Sequence, residues 1–328
     1  MMSRRKWLLL SGISLLAVHL HVRSQETARV RRVGILLFTS SDKTVHLQTA
    51  FKQGMRDLGW LEGQTIEYQF VFAEGHVERL DGLARMLVAQ QADVLVTPAA
   101  TMLLALQKAT KKIPIVMTNV PGAVENNFVI SLSRPGGNIT GVTSQMELVL
   151  GKQIEILHEV VPNAKRIAFL MNETSLANNA YWNDAQSACA ALKLAPIRVA
   201  ANAPDQLAAA VARIVSERAQ AVVVFADSMF YGEREKIADL LRAIRLPAAY
   251  GLSDHVVAGG LLSYAADLAE NFRHSAIFVD KILKGARPED LPVEQPTRFD
   301  LVINLKTAKA LGLTIPQSVL IRANRVIE

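Results

Sequence analysis

The residues best suited to chemistry in this chain are small and hydroxylated, and they fall just after short apolar runs. Thr39-Ser40-Ser41, Thr97-Pro98-Ala99-Ala100-Thr101 and Thr118-Asn119 form three such clusters in the first part of the sequence. Asn172-Glu173-Thr174-Ser175, Ala226-Asp227-Ser228 and Gly251-Leu252-Ser253-Asp254 form three more further on. Hydroxyls and free backbone N–H groups at helix starts receive a carboxylate or a similar polar head group. Taken singly, each of these residues is first of all an N-cap, since Ser, Thr, Asn and Asp satisfy the orphan N–H groups of a helix start. The case for a ligand rests on six such loops converging on one cleft.

The candidate ligand-binding residues are Thr39, Ser40, Ser41, Thr97, Ala99, Ala100, Thr101 and Asn119 on one side of that cleft. On the other they are Asn172, Thr174, Asn178, Asp227, Ser228, Tyr250, Gly251 and Tyr264. Ser40, Ser41, Thr97, Ala100 and Thr101 favour an anion, Asp227 favours a cation, and Asn172 and Asn178 are neutral partners. A zwitterion such as an amino acid fits that division, with Tyr250 or Tyr264 flanking an apolar or aromatic body. For Asp227 a second reading stays open, in which it caps a helix beginning near Tyr231.

Signatures of catalysis are missing. The sequence has no GxGxxG after its first strand-like run, no GxxxxGK[ST] and no GxSxG, which removes the common dinucleotide, nucleotide-triphosphate and hydrolase motifs. Its seven histidines are scattered, with no HExxH, so no metal site is expected. Glu155 and Glu159 are four apart, but beside Lys152 and His158 they describe a solvated helix face. No catalytic residue and no cofactor is predicted. The sole cysteine, Cys189, sits in an alanine-rich helical run and reads as a small apolar side chain.

The loops are positioned by an alternation of strands and helices. Val33 to Phe38 is a continuous apolar run of the kind that a parallel strand buried on both faces requires. Helices over 47–58, 77–90 and 101–109 alternate with strands over 66–72, 94–96 and 115–117. A second series has strands over 166–171, 197–200, 221–225 and 248–250, separated by helices near 178–194, 205–218 and 233–244. Two such series predict an α/β protein of two doubly wound, Rossmann-like lobes. Gly141-Val142-Thr143-Ser144 reads as a short connection suited to a hinge. Leu261 to Ala265 and Phe299 to Asn304 are candidate second and third crossings, with a helix over 270–283 between them. The lobes expected are 30–142 plus 267–298 and 143–266 plus 299–328.

The amino terminus predicts a destination. Ser3-Arg4-Arg5-Lys6 precedes an apolar run from Trp7 to Leu20, too short to span a bilayer but of signal-peptide form, with cleavage expected before Gln25. The order Ser-Arg-Arg-Lys-Trp-Leu also resembles a twin-arginine signal, so the expected location is the periplasm by the Sec or twin-arginine route. The net charge of +6 includes Arg4, Arg5, Lys6 and Arg23 of that leader, and removing these four leaves +2. Such a balance argues against nucleic acid as a partner.

The carboxyl-terminal half carries a specific likeness. Leu132-Ser133-Arg134-Pro135-Gly136-Gly137-Asn138-Ile139-Thr140-Gly141, Ala258-Gly259-Gly260-Leu261-Leu262-Ser263-Tyr264, Val279 to Ala286, Leu291 to Thr297 and Leu301 to Ala308 together resemble the ABC-transporter substrate-binding family with tryptophan- and tyrosine-binding members. Gly54 to Trp60 and Glu62-Gly63-Gln64 extend the likeness toward the amino terminus. The resemblance implies a type I periplasmic binding protein: a monomer whose two lobes, joined by three crossings, close on a small ligand and deliver it to an ABC permease in the inner membrane. One departure stands out. Relatives usually carry Gly-Asp-Pro-Val where this chain has Pro121-Gly122-Ala123-Val124, so the aspartate is missing, and Asp227 is the candidate to replace it from the other lobe. Two alternatives use the same scaffold: an enzyme with an interdomain active site, and an effector-sensing domain of the repressor type. The second requires a helix-turn-helix ahead of the first strand, where this sequence has the export signal.

Overall fold

Residues 29–328 are described by the computed structural model, and the predicted signal segment lies outside them. The chain begins with β1 (Arg31–Leu37), α1 (Val45–Asp57), β2 (Ile66–Phe72), α2 (Leu80–Ala89), β3 (Val94–Thr97), α3 (Ala100–Ala109), β4 (Ile115–Val120) and β5 (Ile139–Thr143). These five strands form one sheet in the order β2-β1-β3-β4-β5, with every pair parallel. A second series follows: α4 (Met146–Val160), β6 (Arg166–Met171), α5 (Asn178–Ala191), β7 (Ala195–Ala200), α6 (Leu207–Ser216), β8 (Ala221–Val224), α7 (Ser228–Gly232), α8 (Arg234–Ala243), β9 (Ala248–Tyr250), α9 (Asp254–Val257) and β10 (Leu262–Ala265). The chain ends with α10 (Leu268–Leu283), β11 (Asp300–Asn304), α11 (Leu305–Leu311), α12 (Gln317–Leu320) and β12 (Arg325–Ile327).

The second sheet runs β12-β11-β10-β9-β8-β6-β7. Its β7-β6-β8-β9-β10 portion repeats the winding of the first sheet, which is the 2-1-3-4-5 order of doubly wound domains. β11 joins β10 antiparallel, and the three-residue β12, which sequence periodicity did not reveal, completes the edge. Strand interiors are buried on both faces: Val33, Ile35, Leu36, Val94, Val96, Phe169 and Val222 to Val224 have essentially no exposure. Continuous Val/Ile/Leu runs form strands here because helices cover both sides of each sheet.

Three crossings link the sheets: after β5, after β10 and before β11. They pack side by side, with Thr143 N–H donating to the Glu294 carbonyl and Glu294 N–H to the Gly141 carbonyl, both at 2.9 Å. Gly141 has φ +122°, and a Cβ there would lie 2.2 Å from the Met117 carbonyl oxygen. Only glycine lets β5 approach β4 so closely where the chain leaves the first lobe.

Helix α10 returns from β10 to pack against α1 and β4 of the first lobe. Its apolar stripe of Leu268, Phe272, Ala276, Val279 and Leu283 follows helical spacing and is buried beside Phe51 and Met55. The helix begins two residues earlier than its sequence pattern predicts because Asp267 caps it, with Oδ1 accepting from Ala269 N–H at 2.8 Å and Glu270 N–H at 3.1 Å. Asp267→Ala is expected to cost about 1 kcal/mol and to lower the melting temperature by about 2–4 °C. Thermal unfolding followed by circular dichroism checks this, and an unchanged midpoint would show that the cap contributes nothing.

Candidate functional site

Carboxyl ends of strands from both sheets face each other, and between them lies a cavity of ≈ 100 Å³. This is several times what one water requires, so the space suits a small solute and not a polymer. Larger depressions on the outer edge of the first lobe and beside the crossings are lined by residues of quite different character, among them Arg32, Glu62 and Glu67 in one and Asp267, Glu270 and His274 in the other. The interlobe cavity has mostly apolar walls. Phe38, Leu47, Met102, Leu268 and Phe272 line it from the first lobe, and Met146, Tyr181, Tyr231 and Leu252 from the second.

Polar groups enter at a few points only. Helix α3 starts at the cavity with Ala99 as N-cap, and no side chain caps it. Ala99, Ala100, Thr101 and Met102 all border the space, so the unpaired N–H groups of a ten-residue helix sit at its edge, with the positive end of the helix dipole. Asn119 lies beside them, its Oδ1 held by Asn271 Nδ2 at 3.1 Å. Ser144, the residue after β5, lines the cavity, and its Oγ is buried without a hydrogen-bond partner in the protein.

Asp227 faces this anion-favouring edge from the second lobe. Its Oδ1 caps α7, accepting from Met229 N–H at 2.8 Å and Phe230 N–H at 3.3 Å. Asn172 Nδ2 is 3.3 Å from each carboxylate oxygen. Burial pushes the carboxyl above the usual range, opposed by those hydrogen bonds from Asn172 and the two amides. No lysine, arginine or histidine among the described residues lines the cavity. The two readings of Asp227 therefore coexist, since one oxygen serves the cap and the carboxylate still has no cationic partner.

Of the sequence-predicted residues, Thr39, Ala99, Ala100, Thr101, Asn119, Asp227 and Ser228 border the cavity. The others require correction as to place. Ser40 lines a small depression at the edge of the cleft with Lys43 and Glu74, and Ser41 anchors the turn before α1 by accepting from Thr44 N–H and Gln48 Nε2. Thr97 is fully buried with Oγ1 donating to the Leu36 carbonyl. Asn172 lies behind Asp227, Thr174 donates to Asn172 Oδ1, and the buried Asn178 donates to the Asn172 carbonyl at 2.7 Å. Tyr250 is 2% exposed and stacks on His255 at 5.1 Å, Gly251 presses against the Ala226 backbone, and Tyr264 packs near Phe299. The reason is common to both tyrosines. They lie within β9 and β10, and their side chains stand on the sheet faces instead of entering the cleft.

Sequence reasoning missed the apolar walls. Leu268 and Phe272 are four apart at the start of α10, a spacing that marks one helix face but not what that face covers. Ser144 stood at the end of a predicted hinge segment, and Tyr231 lies only four residues beyond Asp227.

Comparison with known proteins settles the family. The model for ABC transporter substrate-binding proteins matches residues 32–327. The chain belongs to that family. This substrate-binding protein is 26% identical to an ABC domain from Streptococcus pneumonia solved in complex with L-Trp, with a TM-score of 0.84 over 91% of this chain and all of that one. A conserved domain protein from Vibrio cholerae is likewise 26% identical, with a TM-score of 0.85 and the same coverage. The tyrosine-binding protein of Clostridioides difficile is 20% identical over 291 residues, 89% of this chain and 84% of that protein. The lobes thus have the type I periplasmic binding protein fold, in a family of extracytoplasmic solute receptors and not of enzymes. No helix among the described residues is long and apolar enough to cross a membrane. After β4, Ala123 is buried and Pro121 borders the cavity, and among the described residues lining the cavity the one carboxylate is Asp227.

Proposed function

We propose that this protein is the periplasmic receptor of an ABC importer, and that it closes on a neutral amino acid which it delivers to an inner-membrane permease. The observation that carries this reading is the arrangement of charge across the cavity: an uncapped helix start on one lobe, an uncompensated buried carboxylate on the other, and apolar walls between them. An amino acid's carboxylate matches the α3 amides and its ammonium matches Asp227. Phe38, Tyr181, Tyr231 and Phe272 enclose an apolar or aromatic side chain. The ligands named for the Streptococcus and Clostridioides relatives support this class. The closing bodies are 30–142 plus 267–298 and 143–266 plus 299–328, exported as a monomer behind a signal ending near Ser24.

Calorimetry of the purified protein with L-tryptophan, L-tyrosine, L-phenylalanine and L-leucine tests the reading, beside tryptamine and indole-3-propionate, which lack the carboxylate and the ammonium respectively. At least one amino acid is expected to bind at micromolar or lower concentration, about −8 kcal/mol, with both indole analogues far weaker. Small-angle scattering should then show a smaller radius of gyration at saturation, since a ligand touching both lobes favours the closed form. No binding of any of the four amino acids at about 1 mM would overturn the assignment.

A further inference from the structure

Beyond the cavity, the lobes touch through a cluster of polar contacts centred on one side chain. Tyr231 of α7 walls the cavity with its ring and extends its hydroxyl to the first lobe, donating to the Lys43 carbonyl at 3.2 Å. The same oxygen lies 3.5 Å from His46 Nε2 and 3.4 Å from Asp254 Oδ1. His46, on α1, also reaches Asp254, on α9, at 2.7 Å across the cleft. Lys43 Nζ donates to the Gly232 carbonyl, and Arg234, whose guanidinium covers the Tyr231 ring at 4.8 Å, extends Nη2 to the Lys43 carbonyl at 3.4 Å.

Two features make this more than incidental contact. Gly232 lies flush against Thr39 of the first lobe, where a Cβ would be 3.2 Å from Thr39 Oγ1, so α7 presents its least bulky residue at this close approach. Asp254 is mostly buried, and although burial raises its carboxyl pKa, the hydrogen bond and charge of His46, with His255 and Arg234, hold it below the usual range. The bonds from Tyr231 and Arg234 to Lys43 and His46 join residues 185–191 apart in sequence, and like the His46–Asp254 pair they link opposite lobes and exist only while the lobes meet.

We propose that Tyr231, with His46 and Asp254, is a closing latch at the cleft rim, and that Tyr231 is a positioning residue which sets how long the cavity stays shut. The latch acts between protein groups, so it biases closure in the empty protein as well as the filled one. It rests on the proposed receptor function only for its effect on ligand escape.

The test separates these two effects. Spin labels on Lys111→Cys in the first lobe and Lys193→Cys in the second, both exposed, report interlobe distance in the ligand-free protein. The native Cys189 is buried and its thiol is pushed up to about 11, so it stays unlabelled. Tyr231→Phe keeps the ring and removes the hydroxyl, and it should shift the distance distribution toward open forms. Asp254→Asn should shift it further. In stopped-flow with L-tryptophan, escape should quicken about threefold to tenfold for Tyr231→Phe and about tenfold or more for Asp254→Asn, with association little changed. Unchanged distances in both variants would overturn the latch. If L-tryptophan does not bind, whichever of the four amino acids does bind takes its place; if none binds, the receptor assignment falls, and the ligand-free distances still judge the latch.

Discussion

Replacing Asp227 by asparagine should weaken L-tryptophan binding by about 2–5 kcal/mol, thirtyfold or more, while leaving the protein folded. The size follows from what each oxygen does. The cap on α7 needs one acceptor, and an asparagine Oδ1 can still receive Met229 and Phe230 N–H. The amide nitrogen would replace an oxygen that now faces Asn172 Nδ2 at 3.3 Å, setting two donors against each other at a cost of about 1 kcal/mol in stability. The charge itself is lost, and no other acid among the described residues lines the cavity to take an ammonium. Acidity separates the two roles. Burial raises the Asp227 carboxyl, so in the wild type affinity should fall as pH drops through that raised value and the carboxylate takes up a proton. Calorimetry across that range should show a sloping profile for the wild type and a flat one for Asp227→Asn. Equal affinity at neutral pH would leave Asp227 as a cap alone.

How much of this was legible beforehand depended on how local each cause was. Buried parallel strands announce themselves because both faces must be apolar, so Val33 to Leu37 and Ala221 to Val224 were readable as they stand. The loop after β3 was readable because the helix start of α3 that borders the cavity follows directly from where the strand stops. Thr118 and Asn119 were placed in a loop but lie inside β4, where an irregularity between Met117 and Val120 turns Asn119 toward the cavity. That kink depends on pairing with β5 and leaves no mark in the sequence of β4. Tyr250 and Tyr264 misled for the same reason in reverse: Tyr250 is the last residue of β9 and Tyr264 the last but one of β10, and an aromatic at such a place still belongs to the sheet face. The walls supplied by Leu268 and Phe272 were out of reach because α10 comes back from the far lobe, a long-range fact of topology that helical periodicity does not encode.

The stacking of Tyr250 on a histidine has its own consequence, which acid should expose. His255 sits in α9 with no exposed surface, its ring 5.1 Å from that of Tyr250 at 22°, and neither ring nitrogen makes a well-formed hydrogen bond. Burial drives its pKa down from 6.5 to about 4, only partly offset by the negative charge of Asp254 next to it. In the unfolded chain the imidazole takes up a proton near pH 6.5, whereas the folded protein resists until about pH 4. Between those values the unfolded state binds more protons, so stability must fall as the pH falls, by about 3 kcal/mol across the window. The depressed Asp254 carboxyl contributes below that range, and the raised Asp227 carboxyl acts in the opposite sense, so the wild-type curve alone does not isolate the histidine. The difference between wild type and His255→Leu does. Leucine removes the proton site and both unpaired nitrogens while keeping an apolar side chain against Tyr250. Urea unfolding at pH 7 and pH 4.5 should show wild type losing about 2–3 kcal/mol more than the variant. Parallel losses in the two proteins would mean that His255 is already protonated, or paired, in the folded state.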